Sequence, residues 1–463
     1  MLVICFGVLF GFGITSIAGV LDILKDVFQL SVTGEQSLVA ILVIACFFGA
    51  MLAGPVSQRW GRRIVILLAV AFALAGYGII LATPDYAWFI AARIVVGVSV
   101  GLSSMVIPMY AAEATPARRR GAVVALFQLA ITAGILIAYS IALAFASSVS
   151  WRLILGSGAL PAILGLLAIW LLPESPRWLA SRGDMPAAEH AARRLGLLDE
   201  WREISAGATV GPETSGYTAD QGRKKLRRGG FERGSTVAVL MLCSLLFVLQ
   251  NLSGIDGILY YAPRIFQTLG FAPGVAALAA TFGLGLVNFV ATLAALAIVD
   301  RAGRRPLLIS GSAVMVVGLA AVCAAAVFDW PWVGLAGLGV YIMAFAVSLG
   351  PLPYVLMSEL FPSAIREQGI AAASAISWLF NALVAFTFLS IVQSIGLAAT
   401  IGLFLLVCVL SLVICIVFLP ETRLVSLEVI EANVLAGRPL RMLGGSPPAR
   451  EAALGAGRGI SGG

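Results

Sequence analysis

A few polar side chains interrupt long apolar runs, and they are the residues that could bind a solute. Amide groups both donate and accept hydrogen bonds, so they suit a polar, uncharged ligand. A polar group at membrane depth is costly unless it is paired or faces a watery cavity, which makes each a functional candidate. Hydrogen bonding between helices is the alternative role. The candidates are Gln128, Gln250, Asn251, Asn288, Trp378 and Asn381.

Asp256 lies six residues after Gln250, within the same apolar run. On a straight helix the two side chains would point about 240° apart, at 100° per residue. Gly254 and Gly257 permit a helix break that would turn both toward one cavity. Asp256 is thus a further binding candidate. It could also carry a proton if it is buried, whereas in a wet cavity it would stay ionised and accept hydrogen bonds.

Arginines cluster between the apolar runs, together with recurring glutamates. We expect the arginines at helix ends where the helix dipole favours cations, with the glutamates as bidentate acceptors. Such ion pairs could form and break as a gate, although plain anchoring of the topology is the alternative. The gate candidates are Arg62, Arg63, Glu113, Arg120, Glu174, Arg177, Arg304, Arg305, Glu359, Arg366 and Glu421.

The elements that must position these residues are membrane helices. Apolar residues make up 60% of the chain and charged residues 11%, whereas about a quarter of a soluble domain is charged. Runs of about 20 apolar residues can cross a bilayer as helices. The sequence therefore predicts an all-α integral membrane protein with twelve transmembrane helices. The runs are about 1–21, 37–57, 64–83, 88–112, 121–146, 152–172, 236–262, 273–299, 306–328, 332–357, 368–392 and 397–419.

Positive charge alternates from loop to loop. The arginine clusters at 59–63, 118–120 and 301–305, together with Arg366 and the long 174–233 loop, fall on one side of the predicted membrane. The loops on the other side carry few charges. By the positive-inside rule, both termini and the middle loop lie in the cytoplasm of a multi-pass cell-membrane protein.

Landmarks recur in the same order in the two halves of the chain, at spacings of 242 to 247 residues. They are Arg59 and Arg301, Glu113 and Glu359, and Glu174 and Glu421. The recurrence predicts two parallel six-helix bundles with a binding site between them. The expected domains are a first bundle at 1–173, cytoplasmic helices and a linker at 174–233, a second bundle at 234–420, and a largely disordered cytoplasmic tail at 421–463.

Other classes of chemistry find little support. The six cysteines lie within apolar runs without metal-ligand spacing, and His190 is the single histidine. We therefore expect no catalytic triad, no metal and no cofactor. The net charge of +7 comes from arginines beside helix ends rather than from a basic and aromatic surface, so a nucleic-acid partner is not expected.

Short motifs between Gly11 and Glu431 together resemble those of the sugar porter family of the major facilitator superfamily. Each motif is weak alone, but their order along nearly the whole chain is specific. They are Arg93-x3-Gly97-x3-Gly101, Pro108-x-Tyr110-x2-Glu113, Arg120-Gly121, Pro173-Glu174-Ser175-Pro176-Arg177-Trp178-Leu179, Gly254-Ile255, Tyr260-Tyr261-Ala262-Pro263, Asp300-Arg301-x-Gly303-Arg304-Arg305, Ser358-Glu359-Leu360-Phe361-Pro362 and Pro420-Glu421-Thr422.

The resemblance implies a secondary transporter of a monosaccharide or polyol that works by alternating access, and it suggests a monomer. It places the polar candidates above at sugar-contacting positions and adds Tyr354, where the family has Trp or Tyr. Asp256 stands where the family commonly has asparagine. The arginine and glutamate pairs would be latches that close when the protein faces outward and break when it faces inward.

Two departures from the family pattern bear on coupling and gating. Gly13 stands where proton-coupled members usually carry an aspartate, so Arg93 lacks its usual partner. Facilitated uniport is therefore slightly favoured over proton symport, with Asp256 as the possible proton carrier. Gln58 replaces the aspartate of the first arginine cluster, which predicts a weaker latch in that half.

Three other functions are weighed against sugar transport. A membrane sugar sensor would need a substantial signalling tail, whereas the tail here is short. A polytopic membrane enzyme would need a His, Cys or carboxylate cluster near a membrane face. A transporter of a non-sugar metabolite in the same superfamily would need a charge in its cavity that matches a charged cargo.

Overall fold

The computed structural model describes residues 1–83, 85–146, 150–198, 201, 233–362, 366–423, 425 and 427–445. Within these ranges the side chains at 117–121, 124, 233–236, 300, 366–368, 371 and 427–428 lie outside the description. Arg120 and Arg366 are therefore placed on helices, but the contacts predicted for their side chains lie outside the described residues.

The described residues of the first half form eight helices, with a short 3₁₀ turn at Ser16–Gly19. They are α1 Leu2–Thr15, α2 Leu21–Phe28, α3 Val32–Trp60, α4 Arg62–Ala82, α5 Tyr86–Glu113, α6 Ala117–Ala144, α7 Trp151–Gly156 and α8 Ala159–Leu171. Helix α1 together with the 3₁₀ turn, helices α3, α4, α5 and α6, and the pair α7–α8 are each long and apolar enough to span a membrane.

Two short helices follow, and then a second set that repeats the first. The remaining helices are α9 Pro176–Ser181, α10 Met185–Arg194, α11 Arg233–Leu252, α12 Ile255–Tyr260, α13 Ala262–Thr268, α14 Val275–Ala302, α15 Arg304–Phe328, α16 Pro331–Val347, α17 Leu352–Leu360, α18 Arg366–Phe418 and α19 Leu427–Leu435. Helix α18 contains two spans, because its backbone leaves helical geometry at Gly396. The twelve predicted spans and the two six-helix bundles are confirmed.

Close packing within each half and between the halves encloses the space where a solute could bind. Helix α1 packs along α6, and α3 along α5. A β-carbon at Gly11 would collide with the Ile131 carbonyl oxygen, so only glycine permits this approach. Between the halves, α3 packs against α18 and α6 against α14. These four helices therefore form much of the interface beside the site.

The predicted break near Asp256 is confirmed. Gly254 has φ +91°, a left-handed conformation that favours glycine, and it separates α11 from α12. A second break separates α16 from α17. Discontinuous membrane helices of this kind form solute sites near the middle of the bilayer, because unwound backbone can line a cavity there.

The segment after the first half begins with α9 and α10, which Ser175 and Asp184 cap by accepting hydrogen bonds from backbone N–H groups. They pack through a small apolar cluster that contains Ala188 and Trp201. These helices lie in the segment 174–233, where the sequence predicts cytoplasmic helices and a linker. Residues 202–232 of that segment lie outside the described residues.

The prediction of a largely disordered tail from residue 421 is wrong for residues 427–445. Helix α19 buries Ile430 and Val434, and Leu443 is also buried. The Asn433 side-chain amide donates to the carbonyls of Leu443 and Gly445, both at 2.9 Å. The apolar face of α19 therefore holds this part of the tail against the second half.

Candidate functional site

A cavity of about 170 Å³ lies between the two halves. A buried water needs on the order of 10–15 Å³ by the same measure, so the cavity has room for a small polar solute. The structure brings all eight predicted binding residues to its wall. They are Gln128, Gln250, Asn251, Asp256, Asn288, Tyr354, Trp378 and Asn381.

Two amide side chains of α11 are held by backbone carbonyl groups. The Gln250 Nε2 group donates to the Gly350 carbonyl at 2.8 Å, and the Asn251 Nδ2 group donates to the Phe247 carbonyl at 2.7 Å. Asn251 Nδ2 also donates to Ser377 Oγ at 3.0 Å. Because a carbonyl can only accept, these contacts require each amide nitrogen to face the protein. The amide oxygens are then left to face the cavity.

Among the described residues, Asp256 is the only acidic or basic residue of the cavity wall. It lies within reach of the Tyr260 hydroxyl and the Asn381 amide. The Tyr260 hydroxyl donates to Asn381 Oδ1 at 3.0 Å, which leaves the Asn381 nitrogen free to donate. No described lysine or arginine lines the cavity, so the polar neighbours of the Asp256 carboxyl group in the described residues are neutral.

Aromatic rings complete the wall on both sides. Trp378 packs against Phe10 of the first half, with ring centroids 5.8 Å apart. Tyr354 is 47% exposed to the cavity and meets Phe247 edge to face at 4.7 Å. Such faces suit the apolar surface of a solute, whereas the amides suit its polar groups.

Sequence reasoning missed several residues of the cavity wall. Tyr260 belongs to a quoted motif but was not assigned to the site, and Ser377 directly precedes Trp378. Phe10 and the polar residues Thr132 and Thr292 also line the cavity. Thr132 and Thr292 follow Gln128 and Asn288 by four residues and therefore lie on the same helix faces, which is the signal that could have identified them.

Arg93 is buried beside Gly13 rather than in the cavity wall. Its Nε group donates to the Leu38 carbonyl at 3.1 Å and its Nη1 group to the Gly13 carbonyl at 3.1 Å. Its Nη2 group has no hydrogen-bond partner among the described residues, and neither does the nearby Tyr77 hydroxyl. Backbone carbonyls thus replace the carboxylate that the family pattern would supply.

Ion pairs connect helices within each half at the end of the bundle that carries the arginine clusters, here called the latch end. Arg62 holds Glu113 in a bidentate pair, at 2.9 and 2.8 Å. In the second half, Arg304 donates to Glu359 at 3.2 and 3.1 Å, and Thr422 donates to the same carboxylate at 2.6 Å. Both pairs join helices of one half, α4 to α5 and α15 to α17.

The expectation that these arginines lie where the helix dipole favours cations is wrong. Arg62 and Arg63 begin α4, and Arg304 and Arg305 begin α15. A helix N-terminus favours anions, and a glutamate fills that role in each half. Glu174 accepts from the backbone N–H groups of residues 62 and 63 at 3.0 Å, and Glu421 accepts from those of residues 304 and 305 at 3.1 Å.

Glu174 and Glu421 therefore cap helices. The prediction that they accept bidentate hydrogen bonds from arginine side chains is not met by any arginine whose side chain the structure describes. Arg177 lies on α9 with an exposed side chain and forms no ion pair with any described residue. Within the predicted gate set, the structure therefore describes two ion pairs, Arg62–Glu113 and Arg304–Glu359.

At the opposite end, here called the far end, charged and polar groups join the two halves. Arg264 of α13 forms ion pairs with Asp22 at 2.7 Å and with Glu35 at 3.0 Å. Gln267 donates to Asp22 at 2.8 Å. Nearby, Ser390 donates to the Gln36 side chain at 2.9 Å. These contacts close the space between the halves at the far end.

Sequence and structure both match known proteins over most of the chain. The family model described as Sugar (and other) transporter matches residues 1–434. The galactose-proton symporter of Escherichia coli K12 is 34% identical over 451 residues, which cover 95% of this chain and 94% of that protein. The D-xylose-proton symporter of the same strain is 34% identical over 469 residues, which cover 92% and 93%. The inward open structure of the E. coli xylose transporter XylE matches with a TM-score of 0.75 at 31% identity, over 92% of this chain and 97% of that one.

Proposed function

The chain belongs to the sugar porter family of the major facilitator superfamily, and from that premise we propose that it moves a monosaccharide or a related polyol across the cell membrane by alternating access. It is a multi-pass membrane transporter and not an enzyme. The observation that carries the proposal is the cavity between the halves, where amide, hydroxyl and aromatic side chains converge. Sugar hydroxyls both donate and accept, and sugar rings pack on aromatic faces.

The latch end is the cytoplasmic end in this proposal, because the arginine-rich loops lie there. The Arg62–Glu113 and Arg304–Glu359 pairs are formed in the described conformation, so in this proposal they do not break when the protein faces inward. The ionic contacts of Arg264 close the external side, and the conformation described is inward-facing. Alternating access would break these contacts and close the latch end instead, with the bundles moving as rigid bodies about the cavity. The protein would work as a monomer, since each chain contains a whole cavity.

Uniport is the coupling mode that we favour. Arg93 is held by two backbone carbonyls, and no carboxylate stands at Gly13 to exchange a proton with it. Symport is the second candidate, because Asp256 lies on the cavity wall and could alternate between protonated and ionised forms. The galactose and xylose relatives are named as proton symporters, which supports symport as the second candidate.

Purified protein in liposomes tests both the cargo and the coupling. Radiolabelled hexoses, pentoses and inositol would be offered with and without an inward proton gradient. We expect at least one of them to equilibrate across the membrane without being concentrated. Transport of none of them would contradict the proposed function. Accumulation that requires the proton gradient and is lost in Asp256→Asn would replace uniport by symport.

A further inference from the structure

Three residues of the cavity wall, Gln250, Asn251 and Asp256, offer more hydrogen-bond acceptors than donors. The Asn251 amide nitrogen donates to the Phe247 carbonyl and to Ser377 Oγ, so its oxygen is the group available to a cargo. The Gln250 nitrogen donates to the Gly350 carbonyl and retains one N–H, and its amide oxygen accepts from no described residue. The Asp256 carboxylate can only accept when it is ionised. Among these three residues the acceptors therefore outnumber the single remaining donor.

The charge of the cavity also favours a cargo that donates hydrogen bonds. Asp256 is the single acidic or basic residue on the part of the cavity wall that the structure describes, and its near neighbours Tyr260 and Asn381 are neutral. A carboxylate held away from bulk water is stabilised most by a cation that also donates hydrogen bonds. None of the described residues on the cavity wall supplies that cation, so the cargo is left to supply it.

Two amide residues of the cavity wall can still form hydrogen bonds with the hydroxyl groups of a cargo. Asn288 and Gln128 line the cavity, and neither amide is used in a hydrogen bond to another described residue. Each can therefore both donate to a cargo and accept from it. The cavity thus combines a part that suits a polyhydroxylated ring with a part, around Asp256, that suits a donor-rich cation.

We propose that the preferred cargo is a polyhydroxylated ring that carries a protonated amine, such as an amino sugar, with its ammonium group bound by Asp256 and by the amide oxygens of Gln250 and Asn251. This inference rests on the proposed transport function and names its substrate class. The ammonium group offers three donors to three acceptor residues. Each turnover then moves one positive charge, so an inside-negative membrane potential drives uptake without a proton gradient.

The test compares binding of each aminodeoxyhexose in a positional set (2-amino, 3-amino and 6-amino) with binding of its parent hexose. We expect at least one amino sugar to bind roughly 10- to 100-fold more tightly than its parent, as charge-assisted hydrogen bonds allow. In Asp256→Asn this ratio should fall toward one, and in Asp256→Glu it should be largely kept. Asp329→Asn is the matched control, because it removes an exposed carboxylate at the far end and should leave the ratio as it is.

The same proteins in liposomes provide a second measurement. A potassium diffusion potential, negative inside, should concentrate the amino sugar but not the parent hexose. Equal affinities for the amino and parent sugars, with an affinity ratio that Asp256→Asn leaves unchanged, would overturn the amine inference. Transport of neutral sugars in the same liposomes would still support the proposed function. Binding of neither class would contradict both.

Discussion

Asn288 contacts the cavity through an amide that no other described side chain or backbone group occupies. Its replacement by Ala should therefore remove hydrogen bonds to the cargo and little else. Losing one hydrogen-bonded partner costs about 1–3 kcal/mol, or roughly 5- to 150-fold in affinity. Equilibrium binding of the transported sugar would measure the change. Gln393→Ala removes an exposed amide away from the cavity and is the control; equal affinities in the two variants would place the cargo elsewhere.

Gly13 offers a second test at the scale of single residues. A β-carbon there would lie 3.3 Å from Val100 Cγ2 and 3.4 Å from Tyr77 Oη, so a side chain fits after a small shift. In Gly13→Asp the new carboxylate would face Arg93, whose Nη2 group has no partner among the described residues. We expect sugar uptake into liposomes to become dependent on pH and on an imposed proton gradient. Gly13→Asn fills the same space without the charge, and an identical pH profile in the two variants would contradict the prediction.

Among the helices, α15 and α17 are tied at the latch end by Arg304 and Glu359, whose side chains are 14% and 17% exposed. The pair lies beyond the cavity, on helices that must move together during alternating access. Glu359→Gln should slow turnover several-fold and leave sugar affinity within about twofold, because it changes the balance of states rather than the binding groups.

The measurement for Glu359→Gln is the initial rate of sugar exchange, with binding measured on the same preparation. Glu189→Gln is the matched control, since it removes a carboxylate from an ion pair on α10 whose two side chains are exposed and contribute little. A loss of affinity as large as the loss of rate would make Glu359 part of the binding site instead.

For the molecule as a whole, Arg264 connects the halves at the far end through Asp22 and Glu35. Arg264→Gln should favour the conformation that is open at this end, because it removes the two ion pairs by which the second half holds carboxylates of the first half. Spin labels at Val27 and Val275, one on each half and both exposed, would report a longer distance. Lys25→Gln is the control: it breaks an ion pair with Glu35 inside one half. The same distance distribution in both variants would rule out Arg264 as a gate.

The orientation of the whole bundle is a separate prediction. Because the arginine-rich loops lie at the latch end, a reporter fused at the C-terminus should be cytoplasmic and one fused after residue 330 should be external. A cytoplasmic signal from the fusion at 330 would reverse the assignment of the two ends, and with it the proposal that the described conformation faces inward.

The sequence alone determined the twelve spans, the repeated half and the identity of the amide residues in the cavity. Hydropathy, loop charge and motif spacing are local or periodic properties of the sequence. An amide side chain within a membrane helix, such as that of Gln250 or Asn288, must either form a hydrogen bond within the protein or face a polar cavity. The helix break at Gly254 was also predictable, since glycine is the residue that a left-handed backbone position favours.

Only the tertiary structure decided how these groups face one another. The direction of the Gln250 amide depends on a carbonyl 100 residues away, and Arg264 meets Glu35 across 229 residues. The sequence placed the arginines of the latch end at the wrong helix ends, because the boundary at Gly61 is set by the carboxylate of Glu174 from a distant segment. Such contacts arise from the packing of whole helices, and periodicity within one helix does not specify them.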